Sequence, residues 1–389
     1  MSTLNKFPMI TQEEVTDALE ACTRQILNNM PQFGYNFQSP SCENMFYTTM
    51  ENVGWTNGFW TGEIWLAYEF CKDENLKEAA MWQCERFYER IKNRVSIEHH
   101  DMGFLYTPSC VAAYKLTGDA QAKEAAILAA DNLLSRFRDK GNFIQSCGLP
   151  HELPYYRMIV DCLMNIPLLY WATEVTGDER YRDAATRHFM TTYRLALRED
   201  GSSVQVMHFD VETGAFVRNR TNQGYSNDST WSRGQAWAIY GPALAYRYTR
   251  MPECIEMFRK ATDYFVENLP EDGVPYFDLI FKEGDEWPRD SSAAAIAICG
   301  MLEMAKYLEE EEAQHYRTYA MKLAKVLYDQ CLVRDHKISN GLLLHGTYCQ
   351  VTDYNTQSKC RGVDQCSSFG DYFFMEALTR LFKDWKIYW

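Results

Sequence analysis

The chain has 389 residues, 46% hydrophobic and 24% charged, a composition that excludes a disordered protein. No apolar run approaches the roughly 20 residues of a membrane span, and the opening MSTLNKFPMI lacks the apolar core of a secretory signal. A net charge of −14 with no Lys/Arg block excludes a nucleic-acid stripe; an acidic sugar would need a small pocket with its own cation.

In chain order, Thr11-Gln-Glu-Glu14 is a capping box that opens an amphipathic helix over residues 11–30. A phrase then recurs: an apolar helix ending in an aromatic, a tight turn, and an amphipathic helix rich in Ala. The turns are KDENLKEAA (72–80), TGDAQAKEAA (117–126) and TGDERYRDAA (176–185), with weaker copies at 251–261 and 309–320. Gly-Asp reads as the end of one helix followed by the cap of the next. The first helix of each pair (WTGEIWLAYEF, MIVDCLMNIPLLYWA, SSAAAIAICGMLEMA) is apolar nearly all round and must be buried, whereas the second keeps a polar face. A sixth apolar helix at 369–382 can pair with the N-terminal one. The expected architecture is all-α: a single-domain (α/α)6 barrel over residues 1–389, six helices inside six.

An open solenoid would repeat at a near-constant length of ~34–47 residues. Here the matching alanines (Ala79, Ala125, Ala184, Ala261, Ala320) are unevenly spaced, as loop inserts in a closed barrel would make them. One insert holds a candidate β-hairpin, residues 204–210 with 214–217, and another, 273–287, is loop or hairpin. The 13 cysteines are scattered without CxxC or zinc spacing and read as free thiols of a cytoplasmic protein. Ten Trp and 25 Tyr suit sugar binding and a thick core equally.

Inner helices that point the same way bring their N-terminal ends to one mouth, where the dipoles favour an anion. The six starts, WTNGFWTGE, HHDMGF, YYRMIVD, TWSRGQAW, RDSSAA and CSSFGDYF, are dense in polar and aromatic residues. Asp161, placed a turn into an apolar helix, is the strongest acid/base candidate, because burial raises a carboxyl pKa. Asn165 or Arg157 on the same face could pair with it. Asp101 is a helix cap or a second site carboxylate. His99 and His100 form a pair without the spacing of a metal site. Arg233 and Trp237, at i and i+4, form either a clamp for a sugar carboxylate or a cation–π pair of the core.

The phrases HDMGF, RMIVDCLMN, NQGYSNDSTWSRGQAWAIYG, DSSAAAIAICGMLE and FGDYFFMEAL resemble the unsaturated glucuronyl hydrolases of glycoside hydrolase family 88. The resemblance runs over about residues 55–381. It implies the (α/α)6 barrel, no metal or organic cofactor, Asp161 as general acid/base and Asp101 as second catalytic carboxylate. It also implies a binding set of His100, His208, Gln223, Trp231, Arg233, Trp237 and Trp55. The implied substrate is a small lyase-made oligosaccharide of chondroitin or hyaluronan type bearing a 4,5-unsaturated uronate. The implied reaction is hydration of its C4=C5 bond, by a monomer or homodimer. Asn222 stands where relatives favouring sulfated substrates carry a basic residue, and Phe369 where Trp is expected. The neighbouring alternatives are an unsaturated rhamnogalacturonyl hydrolase, an (α/α)6 epimerase, which would need paired histidines that only 8 His scarcely supply, and a non-catalytic scaffold.

Overall fold

A computed structural model describes residues 3–389. After a 3-10 turn at Thr3–Lys6, the helices are α1 (Gln12–Phe33), α2 (Asn57–Cys71), α3 (Glu74–Lys92), α4 (Met102–Tyr106), α5 (Ala112–Thr117), α6 (Ala120–Ser135), α7 (Pro167–Thr176), α8 (Glu179–Leu195), α9 (Ser232–Thr249), α10 (Pro252–Glu267), α11 (Ser291–Met304), α12 (Glu310–Gln330) and α13 (Ser368–Phe382). A π turn, Thr107–Val111, joins α4 to α5 into one rod. Packing runs from α2 to the α4–α5 rod, then to α7, α9, α11, α13 and back to α2, so the inner ring closes. Helices α1, α3, α6, α8, α10 and α12 lie outside it. The (α/α)6 barrel expected from the repeat is the observed fold. No described helix is long and apolar enough to cross a membrane.

Local chemistry explains the tight inner-to-outer turns. Thr11 and Glu14 form the capping box of α1. Gly118 and Gly177 close their helices at φ 78°, a left-handed conformation that costs glycine little, and Asp119 and Asp178 cap the helices that follow. Around the barrel axis, Phe59, Phe104, Trp237 and Phe373 interlock from four inner helices. At the far end Trp389 stacks on Phe373, with ring centroids 5.8 Å apart, and donates its indole N–H to Glu376. The axis is thus a filled aromatic core with one open end.

The short strands are β1 (Phe37–Gln38), β2 (Thr49–Met50), β3 (Phe137–Arg138), β4 (Phe143–Ile144), β5 (Arg157–Ile159), β6 (Val206–Phe209) and β7 (Phe216–Arg220). The hairpin expected from residues 204–210 with 214–217 is β6–β7, and it gains a third strand in β5. This corrects the helical reading of RMIVDCLMN: residues 157–159 are strand, and a 3-10 turn, Val160–Met164, precedes α7. Backbone pairing with β6 overrides the apolar run's helical pattern there. The 273–287 insert forms no described strand; Asp278 bonds the backbone N–H groups of Tyr225, Thr230 and Ile280 instead.

Candidate active site

At the open end, a cavity of about 260 Å³ is lined by Trp55, His100, Asp101, Asp161, Gln223 and Tyr348, with Asn222, Gln357 and Arg361 among the residues completing it. Asp101 immediately precedes α4, and Asp161 lies in the 3-10 turn before α7. The two segments can meet because residue 103 is glycine: a Cβ there would stand 2.4 Å from Asn165 Cα. Asn165 ties the segments together, accepting from the Phe104 N–H at 3.0 Å and donating to the Asp161 carbonyl at 3.4 Å.

Three side chains converge. His100 Nε2 lies 3.4 Å from Asp101 Oδ1 and 3.5 Å from Asp161 Oδ1, while His99 Nδ1 lies 3.0 Å from Asp101 Oδ2. Burial, and then the charge of Asp101, push the Asp161 carboxyl well above the usual carboxylate range, with Arg233 pulling weakly the other way. Burial also acts on Asp101, but the imidazoles of His100 and His99 outweigh it and leave that carboxyl below its ordinary value. Burial holds His100 down to about 4, so its ring is neutral near pH 7. Asp161 Oδ1 is enclosed without a hydrogen bond. The arrangement sets a carboxyl that holds its proton more tightly beside one that holds it less tightly, the separation of roles that acid/base catalysis uses.

The remaining expected residues divide into two groups. Trp55 lines the cavity, stacks on Phe369 at 5.9 Å and donates to the Tyr348 hydroxyl at 2.9 Å. Gln223 lines it too, donating to the Tyr348 carbonyl at 3.1 Å. His208 instead sits on β6 and lines an adjoining cavity of about 580 Å³. Trp231 and Trp237 are buried, and Trp237 packs under the cavity against Phe104 and Phe373. Arg233 is 1% exposed: it is paired with Asp290 at 2.5 Å, donates to the carbonyls of Thr347 and Tyr348, and is sandwiched between Trp231 and Phe369. Its cation–π partners are Trp231 and Phe369 rather than the Trp237 that shares its helix face. This guanidinium holds the loop that carries Tyr348 into the site.

Three further expectations change. The Asp101 side chain makes no capping hydrogen bond, since it turns to the two imidazoles. Neither Asn165 nor Arg157 bonds the Asp161 carboxylate: Asn165 uses backbone partners, and Arg157 reaches Cys147 Sγ at 4.0 Å. The histidine pair does gain a carboxylate neighbour through the fold, so donor atoms of His100, Asp101 and Asp161 lie within 4.8 Å of one another, a spacing that would admit a cation. Tyr348, Gln357 and Arg361 were missed. They come from a loop tied by backbone bridges such as Cys349 to Arg361, a pairing with no periodic signature.

The model of Glycosyl Hydrolase Family 88 matches residues 35–274, and the chain belongs to that family. It is 44% identical over 383 residues to the unsaturated chondroitin disaccharide hydrolase of Streptococcus agalactiae serotype III (strain NEM316), covering 98% of this chain and 94% of the relative. The crystal structure of unsaturated glucuronyl hydrolase from Streptococcus agalactiae superposes with a TM-score of 0.95 at 43% identity, covering 100% of this chain and 96% of that one. A mutant of that enzyme complexed with dGlcA-GalNAc6S gives a TM-score of 0.87 at 41% identity, with the same coverage. The chain is a glycoside hydrolase of the unsaturated glucuronyl type.

Proposed function

We propose that the protein releases 4,5-unsaturated glucuronic acid from lyase-generated glycosaminoglycan disaccharides of chondroitin or hyaluronan type. The observation that carries this reading is the split pair Asp161 and Asp101 around His100, lining a cavity of about 260 Å³, a size for sugar rings rather than a polymer. Trp55 offers an aromatic wall, Gln223 and Asn222 offer hydrogen bonds, and Arg361 supplies positive charge for an acidic ligand. A relative of this chain is complexed with an unsaturated disaccharide of this class.

Asp161, protonated, gives its proton to C4 of the C4=C5 bond, and positive charge develops at C5, shared with the ring oxygen. Water adds at C5 and passes a proton to the Asp161 carboxylate, which restores the acid. The hemiketal opens to a C5 ketone, leaving C1 as a hemiacetal that collapses to an aldehyde and releases the second sugar as its alcohol. The charge of Asp101 keeps the proton on Asp161 between turnovers and stabilises the cationic transition state. The acetal carbon is never attacked, so the carboxylate-separation rule for ordinary glycosidases does not apply.

Turnover of an unsaturated chondroitin disaccharide in D2O tests the reading. The released keto acid should carry one deuterium at C4 by mass spectrometry. Release without that label, or no release, overturns it. We further propose a cytoplasmic setting for this step, which fractionation of the source cells would check.

A further inference from the structure

Beside the acid pair, the sheet β5–β6–β7 presents a cationic face. In an antiparallel sheet, paired residues project from the same side. The register pairs Arg157 with His208, His208 with Arg218, and Val206 with both Ile159 and Arg220. Ile159 lines the catalytic cavity, so the face that carries it carries Arg157, His208, Arg218 and Arg220 as well. His208 and Arg218 line the adjoining cavity, and β7 runs straight from Arg220 into Asn222 and Gln223 of the catalytic one. The strip therefore connects the two cavities.

In a chain of net charge −14, this sheet face gathers three arginines that, among the described residues, have no ion-pair partner. Arg157 Nε is buried with no hydrogen-bond partner, and so is the hydroxyl of Tyr156, which lines the adjoining cavity. Two acids share the adjoining cavity: Glu212, and Asp210 at the end of β6, whose carboxylate is occupied by its own turn, accepting from Glu212 N, Thr213 N and the Thr213 hydroxyl. The crowding of positive charge is felt by His208, which burial, then Arg157, Arg218 and Arg220, hold down to about 4. Unpaired guanidinium groups beside a catalytic pocket favour an anion, and they reach bidentately to carboxylate or sulfate.

We propose that Arg218 and Arg220, with Arg157 behind them, form an accessory subsite for a second anionic group of the substrate, a carboxylate or sulfate on the sugars beyond the released uronate. This rests on the hydrolase reading of the neighbouring cavity. The subsite extends the substrate range from the unsulfated disaccharide, which carries one carboxylate, toward sulfated disaccharides and tetrasaccharides.

The test compares wild type with Arg218→Gln/Arg220→Gln on three unsaturated substrates: an unsulfated disaccharide, a 6-sulfated disaccharide and an unsulfated tetrasaccharide. The expected result is an increase in KM of about fivefold for the sulfated disaccharide, the tetrasaccharide or both, with the unsulfated disaccharide unchanged. Which arm responds identifies sulfate or carboxylate as the anion. The Arg218→Lys/Arg220→Lys variant should recover most of the loss if charge is what matters. Equal effects on all three substrates, or none, overturn the proposal. Binding of the same ligands to Asp161→Asn, with and without the arginine changes, reads the subsite without turnover. An inactive wild type would thus sink the hydrolase reading while the subsite is still judged by affinity.

Discussion

Asp161 and Asp101 place carboxylate oxygens within 4.8 Å of each other, on either side of His100 Nε2, and their acidities move in opposite directions. Both are half-buried, with side chains 17% and 15% exposed, so burial alone does not separate them. The difference lies in their neighbours. Asp101 faces two imidazoles, whereas Asp161 faces the charge of Asp101 and has an oxygen with no hydrogen bond. One carboxylate therefore acts as the electrostatic partner of the other.

That relationship predicts the behaviour of Asp101→Asn. Removing the negative charge lowers the Asp161 pKa, so the acid form is lost at lower pH. The alkaline limb of the pH–kcat/KM profile should move down, alongside a fall in kcat of about 10²-fold or more. An unmoved limb would separate Asp101 from the titration of Asp161.

Stability follows the same sign. A carboxyl whose folded pKa is raised favours folding below its unfolded pKa, and that contribution is lost as pH rises through the folded value. Asp161→Asn should therefore match wild type in Tm near pH 4 and gain on it as pH increases above about 4. Thermal unfolding across pH measures this. A Tm deficit that grows with pH would mean that the carboxylate is stabilised, contrary to its surroundings.

Arg233→Met should be destabilising by about 3–5 kcal/mol, because it leaves the Asp290 carboxylate buried and unpaired. It also frees the Thr347 and Tyr348 carbonyls, so KM should rise as the Tyr348 loop loosens. Denaturant unfolding and steady-state kinetics check the two effects. Unchanged stability with an altered KM would restore a direct substrate contact for Arg233.

Chelation addresses the donor cluster. Burial that raises the Asp161 pKa disfavours the ionised form a metal needs, so prolonged EDTA treatment and exchange into metal-free buffer should leave kcat unchanged. Loss of activity restored by a divalent cation would assign His100, Asp101 and Asp161 to metal binding instead.

The barrel was legible because its cause is periodic: apolar inner helices alternate with polar-faced outer ones, and Gly-Asp turns such as Gly118-Asp119 recur at their junctions. Asp161 stood out as a carboxyl inside an apolar run, whereas spacing alone left Asp101 open as a helix cap or a second site carboxylate. What could not be read was whatever depends on contact between distant segments. The strand at Arg157–Ile159 exists only because β6 returns to pair with it. The spacing of Arg233 and Trp237 was right for a shared helix face, yet Asp290 and the Tyr348 loop claim the guanidinium, and no local pattern announces that. Tyr348, Gln357 and Arg361 reach the cavity from an irregular loop, where sequence spacing carries no geometric meaning.

The most direct measurement is the ultraviolet absorbance of an unsaturated chondroitin disaccharide incubated with wild type or with Asp161→Asn. Hydration removes the conjugated C4=C5–carboxylate chromophore. Absorbance should fall with wild type, and the fall should slow by about 10³-fold or more with a folded Asp161→Asn variant that still binds the disaccharide. Comparable rates in the two proteins would contradict the assignment of Asp161 as the group that gives and takes the proton.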